Sequence, residues 1–112
     1  MRPEERFSQE FRAALKLYKG PTAMVFGFRM ETSHTCPGAP DWCVLTSGGK
    51  VKFVELKVAS GFTKSQKVIH KLWAAMGIKV RVLRKKDNGV ILDNNLEPKS
   101  LQECVKSIID ED

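Results

Sequence analysis

Apolar positions along the chain repeat with two different periods, and these divide it into elements. Between Pro3 and Lys19, the residues Phe7, Phe11, Ala14, Leu15 and Tyr18 recur at helical spacing and form one stripe. Pro3 suits a first turn, Glu4 and Glu5 favour the positive end of the helix dipole, and Gly20-Pro21 stops the helix. Thr22–Met30 is rich in strand formers, and Glu31–Pro40 is a loop on its Pro, Gly and Ser content. Asp41–Thr46 and Lys50–Val58 read as a hairpin joined through Ser47, Gly48 and Gly49. A second helix is predicted from Thr63 to Met76, ended by Gly77, with Val68, Ile69, Leu72, Trp73 and Met76 as its buried face. Ile78–Leu83 alternates as a strand, Lys85–Gly89 is a turn, and Val90–Leu92 is a short strand. A last helix starts near Pro98 and carries Leu101, Val105, Ile108 and Ile109 on one face.

Helix, three strands, helix, strand and C-terminal helix form an α/β pattern, a central mixed sheet flanked by helices on both faces. The hairpin agrees. Trp42, Val44, Val54, Leu56 and Val58 alternate with Cys43, Leu45, Val51 and Phe53, so neither face is polar. There is no repeat, low-complexity tract or linker, and 112 residues are expected to form a single domain, 1–112.

Composition narrows the class. At 42% apolar and 29% charged the chain is globular rather than disordered. No apolar run approaches the ~18 residues of a membrane span. The N-terminus has acids where a signal peptide needs an apolar stretch, and Cys36, Cys43 and Cys104 lack zinc or CxxC spacing. A cytoplasmic protein with reduced thiols is expected. The net charge of +6 points to an anionic partner.

Three charges interrupt the apolar hairpin: Asp41, Glu55 and Lys57. Glu55 and Lys57 are two apart and share a face. Asp41 joins them only if Ser47, Gly48 and Gly49 form a three-residue loop, pairing Thr46 with Lys50 and setting Asp41 opposite Glu55. With a two-residue loop, Asp41 falls on the other face. Two adjacent carboxylates are costly without a compensating cation, and oxygen ligands favour Mg²⁺ or Mn²⁺ over zinc. The Leu56 carbonyl between them can add another oxygen. Lys57 beside two carboxylates stays protonated, a fixed positive charge suited to stabilising an oxyanion. Metal, ammonium and carboxylates together suit phosphodiester hydrolysis. The plain alternative is a surface hairpin whose strand-end charges pair, an arrangement worth little.

The ordered set Pro37-Gly38-Ala39-Pro40-Asp41, Phe53-Val54-Glu55-Leu56-Lys57, Thr63-Lys64-Ser65-Gln66 and Gly77-Ile78-Lys79-Val80 resembles the stand-alone virus-type replication-repair nuclease domain, VRR-NUC. That family belongs to the PD-(D/E)XK nuclease superfamily, and the resemblance runs from about Glu10 to Leu83. It implies a restriction-endonuclease-like core and a Mg²⁺- or Mn²⁺-dependent DNA endonuclease. Asp41 and Glu55 match the family's metal-binding acids, Lys57 its catalytic lysine, and Gln66 the glutamine that positions water or phosphate. An acid on the first helix completes the metal set: Glu10 fits the spacing and the stripe edge, with Glu4 as the alternative. The resemblance further implies a homodimer acting on branched, Holliday-junction-like DNA in replication, repair or recombination, in a bacterial or phage-infected cell. The rival is a non-catalytic DNA-binding or assembly module that retains the fold.

Other chemistry-bearing residues have plainer readings. His34 and His70 read as surface, and Trp42 and Trp73 as core rather than base-stacking platforms. Lys64, Lys67 and Lys71 recur at three- and four-residue spacing opposite the apolar stripe of the second helix, and are candidates for phosphate-backbone contact.

Overall fold

A computed structural model of the chain describes residues 2–30, 39–58, 62–94 and 98–111. The elements run α1 (Pro3–Lys16), β1 (Val25–Arg29), β2 (Trp42–Thr46), β3 (Lys50–Val58), α2 (Lys64–Ala75), β4 (Val80–Lys85), β5 (Ile91–Asp93), β6 (Pro98–Lys99) and α3 (Leu101–Asp110). The strands form one mixed sheet in chain order, β1 to β6. All neighbours are antiparallel except β3 and β4, which are parallel because α2 crosses over between them.

The hairpin register is the odd-length one. Thr46 pairs with Lys50 and Trp42 with Val54. Gly48 (φ 93°) and Gly49 (φ 77°) take the left-handed conformations that the loop demands.

One face of the sheet carries the core. Phe7, Phe11 and Ala14 of α1 and Cys104, Val105, Ile108 and Ile109 of α3 close over Trp42, Val44, Val54, Leu56, Leu83 and Ile91. Phe11 meets Trp42 edge-on at 5.2 Å, and the Trp42 indole N–H donates to Ser8 Oγ at 2.9 Å. Gly27 permits close approach of β1 to α1: a Cβ there would lie 2.5 Å from Leu15 Cδ1. Tyr18 donates to Asp110, and Gln102 to the Ala14 carbonyl, fastening α1 to α3. The segment beyond Leu83 thus widens the sheet by two short strands and supplies half its cover.

Three expectations are corrected. Pro98 lies in β6 rather than starting the last helix. Ser100 caps α3 in a reciprocal box with Glu103, a pattern legible as S-x-x-E. The stripe expected to bury α2 does not do so. Gln66, Ile69, His70 and Trp73 are half-buried, whereas Val68, Leu72 and Met76 are exposed. Finally, the second face of the sheet is only partly covered. Trp73 packs on Phe53 with ring centroids 4.9 Å apart, but Phe26, Phe28, Leu45 and Val51 on that same face remain exposed. No helix among the described residues is long and apolar enough to cross a membrane.

Candidate active site

Asp41 immediately precedes β2, one step beyond the Trp42–Val54 pair, and so stands across from Glu55. The parity of β3 puts Glu55 and Lys57 on the α2 side of the sheet, opposite the core formed by Val54 and Leu56. These residues line a pocket of about 220 Å³ together with Glu4, Ser8, Arg29 and Gln66. A cavity of about 470 Å³ lies near the other end of β3 beside Lys52, Arg81 and Glu111. Its arginine is already spent on Asp93, Ser107 and Glu111, so it offers less chemistry than the smaller pocket.

Each side chain in the smaller pocket is held by a distinct contact. Asp41 Oδ2 accepts from the Leu56 backbone N–H at 3.2 Å. Glu55 is 1% exposed; Oε1 accepts from Gln66 Nε2 at 3.1 Å, while Oε2 is buried without a hydrogen-bond partner. Lys57 Nζ donates to Gln66 Oε1 at 2.7 Å and sits 5.4 Å from the centroid of the Phe62 ring. Gln66 Oε1 also accepts from the Thr63 backbone N–H at 2.9 Å, closing a capping box at the start of α2. One amide therefore ends a helix, fixes the lysine and holds the carboxylate. The T-x-x-Q spacing that signals this box is visible in the sequence. The bridge it makes is not: Gln66 lies between Lys57 and Glu55, with its oxygen taken by Lys57 and Thr63 and one Nε2 hydrogen by Glu55.

Burial, reinforced by the neighbouring Asp41 carboxylate, pushes Glu55 up to about 8. Burial also raises Asp41, against the lowering effects of the Leu56 N–H and of the cations Arg29 and Lys57. Two facing carboxylates in low dielectric resist joint ionisation. A buried carboxylate oxygen without a donor is what a bound cation would satisfy, and an all-oxygen donor set fits a hard divalent ion. Among the described residues, however, no group of three or more His, Cys, Asp or Glu side chains stands close enough to hold a metal.

The first-helix acid is corrected. The Glu10 carboxylate pairs with Lys85 Nζ at 2.8 Å and does not line the pocket, whereas Glu4 does. At roughly 100° per residue, Glu4 and Glu10 flank the Phe7–Phe11–Ala14 stripe on opposite sides. Periodicity locates the stripe but cannot say which flank meets the acids of the sheet.

Lys64, Lys67 and Lys71 are exposed on the outer side of α2, apart from the pocket lining. His70, expected at the surface, is half-buried with its ring edge-on to Phe62 at 5.2 Å, and its Nε2 lacks a partner. Burial and the nearby Lys57 hold its imidazole below the ordinary value. Trp42 is fully buried, Trp73 half-buried, and Cys43 and Cys104 are free, buried thiols. His34, Cys36 and the Pro37-Gly38 part of the motif lie outside the described residues. Arg29 and Ser8 escaped the sequence reading: Arg29 ends a strand with no motif around it, and Ser8 sits within a helix stripe.

Together, an α/β fold with a mixed six-stranded sheet and a pocket of two acids, a lysine and a glutamine define the chain. Compared with known proteins, it matches no family model, no curated protein and no solved structure.

Proposed function

We propose that the protein is a metal-dependent DNA endonuclease with a restriction-endonuclease-like core, as its resemblance to VRR-NUC implies. The observation that carries this reading is Asp41 set across from a 1% exposed Glu55 whose Oε2 has no donor, with Lys57 on the same face. Asp41 and Glu55 would hold Mg²⁺ or Mn²⁺, with the Leu56 carbonyl and Glu4 as further oxygen donors lining the pocket. When bound, the ion lowers the pKa of its water and bears charge that develops on the phosphate. Lys57, fixed through Gln66, presents a preorganised ammonium to the same charge at no cost in reorganisation. Lys64, Lys67 and Lys71 would extend contact along the phosphate backbone.

A homodimer on branched DNA follows from the same reading, since one such site cuts one strand. The open sheet face supports it. His70 and Ala74 line a cavity on the β4 side of α2, so Val68, Leu72 and Met76 flank the side of β2 and β1. They continue the apolar surface of Phe26, Phe28, Leu45 and Val51, each of the seven between 37% and 65% exposed.

A second reading, a non-catalytic DNA-binding module, draws on the lack of a three-acid cluster among the described residues. Incubation with a labelled four-way junction and Mn²⁺ separates the two. Cleavage by the wild type, lost in Glu55→Ala and Lys57→Ala, supports the nuclease. Binding without cleavage at any metal concentration supports the module.

A further inference from the structure

We infer that Arg29 is a substrate-phosphate contact of this pocket, an inference that rests on the nuclease reading above. Arg29 is the last residue of β1 and pairs in register with Trp42, the neighbour of Asp41. The strand end is pinned there, because the Met30 N–H donates to the Asp41 carbonyl at 2.6 Å. The guanidinium lines the same pocket as Asp41, Glu55 and Lys57, and its charge is felt at Asp41.

The two cations of the pocket differ in commitment. The Lys57 ammonium is bound to Gln66 and lies against Phe62. Arg29 is exposed and, beyond the through-space action of its charge on Asp41, makes no hydrogen bond or ion pair among the described residues, although Glu4 lines the same pocket. Arg29 acts on Asp41 through its charge and not through a hydrogen bond, so its donor fork is uncommitted within the pocket that the two carboxylates line. That planar fork suits two non-bridging oxygens of a phosphodiester, which lysine cannot match in geometry. Lys57 then serves the charge that develops during reaction, and Arg29 holds the phosphate in both ground and transition states. This division predicts a defect expressed chiefly in substrate affinity.

The test is steady-state cleavage of a four-way junction in Mn²⁺ by the wild type, Arg29→Ala, Arg29→Lys and Lys16→Ala. Lys16→Ala removes one exposed positive charge from α1, outside this pocket. The expected result is a KM raised about 10-fold or more for Arg29→Ala with kcat changed by less than about 3-fold. Arg29→Lys should fall between, because it keeps the charge and loses the fork. The slope of log KM against log salt should fall by about one for Arg29→Ala. Thermal melts with and without Mn²⁺ should match the wild type, separating phosphate contact from a structural role. Wild-type cleavage with Arg29→Ala no worse than Lys16→Ala overturns the inference alone. A wild type that cuts no DNA overturns the nuclease reading and this inference with it.

Discussion

Asp41 stands across from Glu55 at the end of the β2–β3 ladder, a half-buried acid brought face to face with a buried one by one extra residue in a hairpin loop. Glu55 is thereby raised to about 8 from an ordinary 4.5, first by burial and then by Asp41. Between those values the unfolded chain ionises Glu55 while the folded chain keeps it protonated. The metal-free protein therefore loses stability as pH rises from about 4.5 to about 8. Glu55→Gln should remove that slope and stabilise the metal-free protein at pH 8 by about 1–3 kcal/mol. Melting curves at pH 5 and pH 8 check this, and an unchanged slope would refute it.

Divalent metal should reverse the same penalty. Mn²⁺ must displace the Glu55 proton to bind, so the rise in Tm that it produces should be larger at pH 8 than at pH 6. The rise should vanish in Asp41→Asn and Glu55→Gln. Equal shifts at both pH values, or shifts that survive both substitutions, would place the metal elsewhere.

Lys57→Ala is expected to lower kcat by about 10²–10³ while leaving the Mn²⁺-induced Tm shift in place. Single-turnover cleavage alongside melting curves separates the two effects. Loss of the metal shift would instead mark Lys57 as part of the scaffold of the metal site.

The two first-helix acids should behave oppositely. Glu4→Gln should slow cleavage at least about 10-fold, because Glu4 lines the pocket. Glu10→Gln breaks only an exposed ion pair with Lys85 and should change activity less than about 2-fold and stability by about 0–1 kcal/mol.

Arg81 and Asp93 anchor the opposite end of the sheet. Arg81 Nε and Nη2 donate to the two Asp93 oxygens at 2.6 and 2.8 Å, and Asp93 is 3% exposed. Despite its burial, bonds from Arg81 hold Asp93 below its ordinary value, so this stability is lost as pH falls through the acid range. Asp93→Ala should cost about 1–3 kcal/mol, measured by urea unfolding, because it removes two charge-assisted hydrogen bonds and leaves the guanidinium only Ser107 and Glu111.

The sequence by itself determined all the elements but β6, because helical and strand periods differ and the longer segments each hold to one, whereas the two residues of β6 are too few to show a period. It also pointed to the pairing of Asp41 with Glu55, since a glycine in the left-handed conformation suits a three-residue Ser47-Gly48-Gly49 loop, whereas a two-residue loop would put Asp41 on the other face. Lys57 followed, sharing parity with Glu55. Tertiary structure decided which flank of α1 meets the sheet, and so selected Glu4 over Glu10 as the pocket acid. It also rotated α2 away from its apolar stripe: Gln66 caps the helix and grips Lys57 and Glu55, which turns Ile69, His70 and Trp73 inward and leaves Val68, Leu72 and Met76 outside. Periodicity records which residues can share a face, but the direction in which that face is packed depends on contacts between residues far apart in the chain.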